Sequence, residues 1–373
     1  MTMHINGRFL LLLLLLLPLT ACLPAVAAIP DAVAEPDAAL PTRMAVATVP
    51  VVATWTPRPT VAIPPTNTPI VPPTAAPTAT PTPAPTATPD PYAGWTIADL
   101  RARDYGSGAL EIVETLAETA AFTRYLIRYP SDGLAVYGFM NVPANASGPL
   151  PVVLLLHGYV NPAAYDTLAY TTAHADDLAR NGFLVIHPNY RNYPPSDTGD
   201  NDFRAGFAID VLHLIALVQR QGGQPGPLQA ADPADINLWG HSMGGGIALR
   251  VLVVNPSVRR ALLYGSMSAD EYQNYEQIFA WTDGRSGQEE LAIPPADMAR
   301  IAPLDYLDSI TAEIQIHHGT ADEQVPFAWS VQLCDALRAL SKPVTCFTYT
   351  GQPHYFWGEQ DALLRQRAAA FFR

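Results

Sequence analysis

Residues 236–246 read Ile236-Asn237-Leu238-Trp239-Gly240-His241-Ser242-Met243-Gly244-Gly245-Gly246. An apolar stretch runs into a G-x-S-x-G pattern, and a second apolar stretch, Ile247-Ala248-Leu249-Arg250-Val251, follows. That order predicts a short buried strand over 236–239, a sharp turn and a helix over 245–251. Such a turn lifts the serine hydroxyl off the end of the strand, and glycines at 240 and 244 let the backbone close tightly around it. A helix-capping serine in a glycine-rich turn is the plainer reading of the same letters.

A serine hydroxyl is a weak nucleophile until a base takes its proton, and the base must be held in one tautomer by a carboxylate. In a strand–turn–helix setting the three follow in the order Ser, acid, His. Downstream of Ser242 the histidines are His317, His318 and His354. His354 follows the strand-like Val344–Tyr349, in a loop able to reach back over the serine. His317 and His318 end the strand-like run Ile314-Gln315-Ile316, and His318 is expected to pack at the strand end beside Gly319. Asp322 lies in the loop after that strand, at the carboxyl end that also carries the serine turn. Asp305 and Asp308 precede the strand and belong to the other rim or the insert, and Glu323 is expected to point away. An Asp322 that only caps a helix and a His354 that only decorates a loop are the plain alternatives.

Hydrolysis also needs two N–H groups aimed at the developing oxyanion. Met243, just after the serine, supplies one. The apolar run Pro151–Leu156, followed by His157-Gly158-Tyr159, supplies the other at Tyr159. The Tyr159 ring either walls the cleft or packs on the sheet edge.

Four pieces, His157-Gly158-Tyr159, Gly240–Gly245, His318–Pro326 (H-G-T-A-D-E-Q-V-P) and Tyr349–His354 (Y-T-G-Q-P-H), occur in this order. Together they resemble α/β-hydrolases of the prolyl-oligopeptidase and dienelactone-hydrolase branch, from about Tyr125 to the C-terminus. The resemblance implies a catalytic triad of Ser242, Asp322 and His354, with 80 residues from Ser242 to Asp322 and 32 more to His354. It departs from prolyl-oligopeptidase-type peptidases in having no stretch long enough for a β-propeller. The H-G-Y and G-H-S-M-G-G-G pieces are also similar to those of cutinase-like polyester hydrolases, which implies an oxyanion hole of Tyr159 and Met243 amides and esters as substrates.

Residues 1–21 read as a secretory signal: Arg8, then a leucine run over 10–17, then small residues. The run is too short to span a bilayer. Leu19-Thr20-Ala21-Cys22 resembles a bacterial lipobox, which implies lipidation at Cys22; an ordinary signal with a chance cysteine is the alternative. Residues 22–91, rich in Pro, Thr and Ala, read as a disordered tether that could reach on the order of 200 Å. The expected location is therefore extracytoplasmic, with membrane contact only through an N-terminal lipid.

Residues 92–373 fit one α/β domain: a mostly parallel central sheet with helices on both faces and a small lid-like insert at 265–303. Residues 123–142 read as a hairpin opening the sheet, 166–180 and 203–220 as helices, and 183–187 and 260–264 as strands. The loop 189–202, with Tyr190, Arg191 and Tyr193, reads as a cleft rim. The insert aromatics read mostly as the insert's own core. A net charge of −13 with Lys342 as the single lysine argues against nucleic acid or an anionic membrane surface as a direct partner. No metal or organic cofactor is expected, since the histidines show no ligand spacing. Cys334 and Cys346 form either a disulfide, which their level positions around the turn at 341–343 favour, or two buried thiols. The sequence thus points to a serine hydrolase acting on a small ester. A peptidase of short peptides and a non-catalytic tethered binding protein are the alternatives. It leaves the oligomeric state open.

Overall fold

The computed structural model describes residues 90–144 and 148–373. The expected signal, Cys22 and all but the last two residues of the expected tether lie outside the described residues. No helix among the described residues is long and apolar enough to cross a membrane.

Nine strands form one sheet: β1 (Glu111–Glu118), β2 (Phe122–Ser131), β3 (Leu134–Pro143), β4 (Leu150–Leu156), β5 (Leu184–Pro188), β6 (Ala231–His241), β7 (Arg260–Tyr264), β8 (Glu313–Gly319) and β9 (Val344–Tyr349). Their spatial order is β1-β2-β3-β5-β4-β6-β7-β8-β9. The first three strands and the β3–β5 pair run antiparallel, and the rest of the sheet is parallel. The expected hairpin is β2–β3, but β1 precedes it and forms the edge. β1 escapes a reading by alternation because most of it is exposed and its pairing with β2 is broken by two register shifts.

Helices cover both faces: α1 (Ile97–Ala102), α2 (Thr172–Arg180), α3 (Ala205–Gln221), α4 (Met243–Val254), α5 (Glu271–Trp281), α6 (Gln288–Leu291), α7 (Pro295–Ile301), α8 (Phe327–Ala339) and α9 (Glu359–Phe371). Side chains of a strand alternate between faces. Val152, Leu154 and Leu156 therefore join Leu238 and Leu263 in the core under α3, α4 and α8. Val153 and Leu155 join Trp239 and Leu262 under α2 and α9. This two-sided burial explains the unbroken apolar runs of the parallel strands.

Two local expectations are corrected. The helix foreseen from residue 166 begins at Thr172, because Asp166 instead closes a turn onto Leu168 N–H at 2.7 Å. The loop 189–202 is not wholly a rim. Tyr190 and Arg191 are buried, since Arg191 is drawn onto the buried carboxylate of Asp210 at 2.8 Å. Tyr193 does reach the cleft wall. The segment 265–303 carries α5–α7 around its own small core of Tyr275, Ile293 and Met298.

Candidate active site

The carboxyl ends of the parallel strands bring the site together. Leu156 of β4 pairs in register with Gly240 of β6, so the His157-Gly158-Tyr159 turn leaves the sheet beside Ser242. A Cβ placed on Gly158 would sit 3.0 Å from Cβ of Ser242 and 2.2 Å from the Tyr170 hydroxyl, so only glycine fits there. Two strands further along, β8 ends in the turn carrying Asp322, and His354 follows β9.

Ser242 has φ 56° and ψ −121°, in the left-handed half of conformational space that side-chain-bearing residues avoid. Its backbone is pinned: Ser242 N–H donates to Tyr264 O at 3.0 Å, and Ser242 O accepts from Met267 N–H at 3.1 Å. Glycines at 240 and 244 are required by packing, since a Cβ at either would lie within 2.5 Å of neighbouring carbonyl oxygens.

Nδ1 of His354 lies 2.8 Å from Oδ2 of Asp322, and both side chains are 1% exposed. Asp322 Oδ1 accepts from Gln324 N–H at 2.9 Å and Val325 N–H at 2.8 Å. Burial pushes the Asp322 carboxyl up, but hydrogen bonds from His318 and His354, the His354 charge and Val325 N–H outweigh it and hold it well below the usual carboxylate range. With Nδ1–H committed to Asp322, the lone pair of His354 resides on Nε2. Nε2 is buried and has no partner among the described residues, and Ser242 Oγ makes no hydrogen bond to them either. The two groups that exchange a proton in the expected chemistry are thus both left free.

The rest of His354 is fixed. Its carbonyl oxygen lies 3.1 Å from Nε2 of His241, and its N–H donates to Glu323 Oε2 at 3.3 Å. Glu323 therefore does not point away as expected; it holds the histidine's backbone. Burial, reinforced by the nearby His354 charge, keeps His241 well below the usual histidine pKa, and so neutral. Its Nδ1 then accepts from the Tyr170 hydroxyl at 2.7 Å, and Tyr355 donates to Tyr170 at 3.0 Å. Gly265, at φ 48°, closes against the pair: a Cβ there would be 3.3 Å from both Asp322 Oδ2 and His354 Nδ1. His318, Glu323, His241, Tyr170 and Gly265 were not assigned roles by sequence spacing. The one available signal was that His241, His318 and Glu323 sit inside the motif stretches themselves.

For the two amides, Tyr159 N–H donates to no described group, and Met243 as first residue of α4 has no intrahelical carbonyl to reach. Burial pushes His157 down to about 4, and its Nδ1 lies 2.7 Å from Gly158 O. That contact turns the Gly158 carbonyl toward the ring, so the N–H of the same trans peptide, Tyr159's, faces the opposite way. The Tyr159 ring is 66% exposed and walls a cleft of about 770 Å³ that Ser242 and Met243 also line. Met267, Ile278 and Trp281 from the insert line it too, so part of the insert serves the cleft rather than its own core. Cys334 on α8 and Cys346 on β9 are joined, with an S–S distance of 1.98 Å. Among the described residues no group of three or more His, Cys, Asp or Glu is arranged to hold a metal ion.

A family model described as the alpha/beta hydrolase fold matches residues 151–302. The uncharacterized peptidase YtmA of Bacillus subtilis is 25% identical over 238 residues, covering 62% of this chain and 86% of the relative. A puromycin-hydrolyzing peptidase of Mycobacterium tuberculosis superposes with a TM-score of 0.55 at 22% identity, covering 68% of this chain. This chain spans only 40% of that protein's length. The acetyl xylan esterase of a Paenibacillus species superposes with a TM-score of 0.54 at 16% identity, covering 74% of this chain and 92% of the esterase. The order of the strands, the strained serine turn between β6 and α4 and these matches lead to one assignment: the chain has the α/β-hydrolase fold, and its motifs are similar to those of the prolyl-oligopeptidase and dienelactone-hydrolase branch.

Proposed function

We propose that the chain is an extracytoplasmic serine hydrolase that cleaves carboxylic esters. The observation carrying this reading is the 2.8 Å contact of His354 Nδ1 with Asp322 at the rim that holds Ser242 in its strained turn. In the proposed reaction Ser242 Oγ attacks the ester carbonyl carbon as its proton passes to His354 Nε2. Asp322 stabilises the imidazolium formed. The Tyr159 and Met243 N–H groups hold the oxyanion, each typically worth about 3 kcal/mol in the transition state. Collapse breaks the ester C–O bond, and the leaving alkoxide takes the proton from His354. Water, activated by the same histidine, then releases the acid and restores Ser242.

Peptide cleavage is the second reading, favoured by the likeness to peptidases. Against it, no Asp or Glu lines the cleft among the described residues, so a free peptide amino terminus finds no counter-charge there. An oxidising location is supported by the Cys334–Cys346 bond, which reducing cytosols disfavour. The signal and the Cys22 anchor belong to the same proposal.

A fluorophosphonate probe tests the reading. Labelling of the wild type but not of Ser242→Ala is expected; a folded, unlabelled wild type points to the binding-protein alternative. Anilide turnover matching that of p-nitrophenyl esters would reverse the order of ester and peptide.

A further inference from the structure

The cleft that holds Ser242 is walled largely by aromatic and apolar side chains, among them Tyr193, Phe207, Met267, Ile278 and Trp281. Among the described residues that line it, Arg204 alone carries a charge. Its side chain is 19% exposed, and it is held rather than free. Nη2 pairs with Glu271, the guanidinium carbon lies 5.1 Å over the Tyr275 ring, and Nη1 meets only the weakly accepting sulfur of Met267 at 3.6 Å. The residue's backbone is itself in the left-handed region, at φ 57°. Such a conformation persists only where the surroundings enforce it.

Glu271 does not neutralise Arg204 alone. Its other oxygen pairs with Arg250, whose side chain is 3% exposed and also donates to Ile301 O at 2.8 Å and Phe203 O at 3.1 Å. A buried and a half-buried guanidinium therefore share one buried carboxylate. Glu290, half-buried on α6, is the next acid acting on Arg204 and makes no ion pair with it. The cluster leaves positive charge uncompensated where apolar walls weaken screening. Arg250 is satisfied by backbone oxygens, so the unmet donors are those of Arg204 that face the cleft. A guanidinium with free N–H groups matches a planar carboxylate better than any neutral group.

We propose that Arg204 determines substrate choice, and that the cleft takes esters bearing a carboxylate at the end remote from the scissile bond, such as half-esters of dicarboxylic acids. The proposal rests on the ester-hydrolase reading and names its substrate class. An aliphatic spacer lies against the apolar walls while the carboxylate reaches Arg204.

The test compares matched pairs: monomethyl with dimethyl adipate, and 6-acetoxyhexanoate with hexyl acetate. In at least one pair the anionic member is expected to show about 10-fold or higher kcat/KM, the size of one charge-assisted contact. That ratio is expected to fall toward one in Arg204→Gln and to be partly retained in Arg204→Lys. No anionic preference in either pair, or a preference unchanged in Arg204→Gln, overturns the proposal. Binding is read separately on Ser242→Ala, through quenching of Trp281 by monomethyl and dimethyl adipate. This readout holds even if Arg204→Gln fails to fold or the wild type proves inactive. Tighter binding of the monoanion supports the site; equal or weaker binding overturns it. Absent fluorophosphonate labelling would instead sink the hydrolase reading, so the two failures are distinguishable.

Discussion

Nε2 of His318 lies 3.1 Å from Oδ2 of Asp322, the same oxygen that faces Nδ1 of His354 at 2.8 Å. His318 is 1% exposed, and its Nδ1 faces the Ser330 hydroxyl at 2.6 Å. The Val325 carbonyl oxygen also lies 3.1 Å from Nε2, and two pure acceptors there set the tautomer: Nε2–H donates to them, and Nδ1 accepts from the Ser330 hydroxyl. A hydrogen bond to a charged group contributes about 1.5–3 kcal/mol. His318→Phe is therefore expected to lower kcat by roughly 10-fold or more with little change in KM. The pH dependence has a definite sign. The folded Asp322 carboxyl is held below its unfolded value near 3.9, so its stabilisation is present above about pH 4 and is lost as pH falls below that. Removing the His318 donor raises the folded value, so the stabilisation above pH 4 shrinks and its loss on acidification is complete at a higher pH. Thermal melts of both proteins between pH 2 and 7 check this, and superimposable pH curves would rule out the role of His318.

Gly265 packs on the hydrogen bond between Asp322 and His354, and its φ of 48° suits glycine. Gly265→Ala adds a carbon 3.3 Å from each of the two bonded atoms, closer than ordinary contact. The strained backbone costs about 1 kcal/mol, and the histidine must shift. The expected result is a modestly lower Tm with a larger loss in kcat than change in KM. An unchanged kcat would show that the pair tolerates displacement.

The serine turn permits a separate test of strain. Ser242→Gly relieves the φ 56°, ψ −121° conformation, whereas Ser242→Ala keeps it. Both variants should be inactive, but the glycine variant should be the more stable by about 1 kcal/mol, or roughly 2–4 °C in Tm. Equal melting temperatures would mean that the turn stores no strain.

How legible the site was follows from how local each part is. The strand β7 was bounded correctly from sequence because burial on both faces leaves a continuous apolar run, and the half-exposed edge strand β9 because Pro343 and Gly351 punctuate its β-branched and aromatic residues. Ser242 and its glycines form one contiguous turn, so their pattern survives in the sequence. The contacts that hold His354 do not. His241 reaches it across 113 residues and Gly265 across 89, through strand order that no periodicity encodes. Arg191 was misplaced on a rim for the same reason: its partner Asp210 is on the next helix, and the pairing pulls a charged loop residue inside. Arg204 likewise drew no notice, because its meaning depends on α5 folding back over the cleft.

The disulfide offers the last prediction. Cys334 sits on α8, which starts five residues after Asp322, and Cys346 sits on β9, which ends five residues before His354. The bond thus ties the element that follows the acid to the element that precedes the base. Closing a loop of 12 residues contributes roughly 3 kcal/mol by the chain-entropy relation. Reduction of the wild type is expected to lower Tm by several degrees, and Cys334→Ala/Cys346→Ala should melt at that lower temperature with or without reductant. Turnover should be lost below the global melting temperature, because loosening α8 from β9 frees the approach of His354 to Asp322 before the rest of the sheet opens. Thiol titration in denaturant, melting curves and activity followed along the same temperature ramp decide the matter. Activity and structure vanishing together, with no effect of reductant on either, would show that the bond does not support the site.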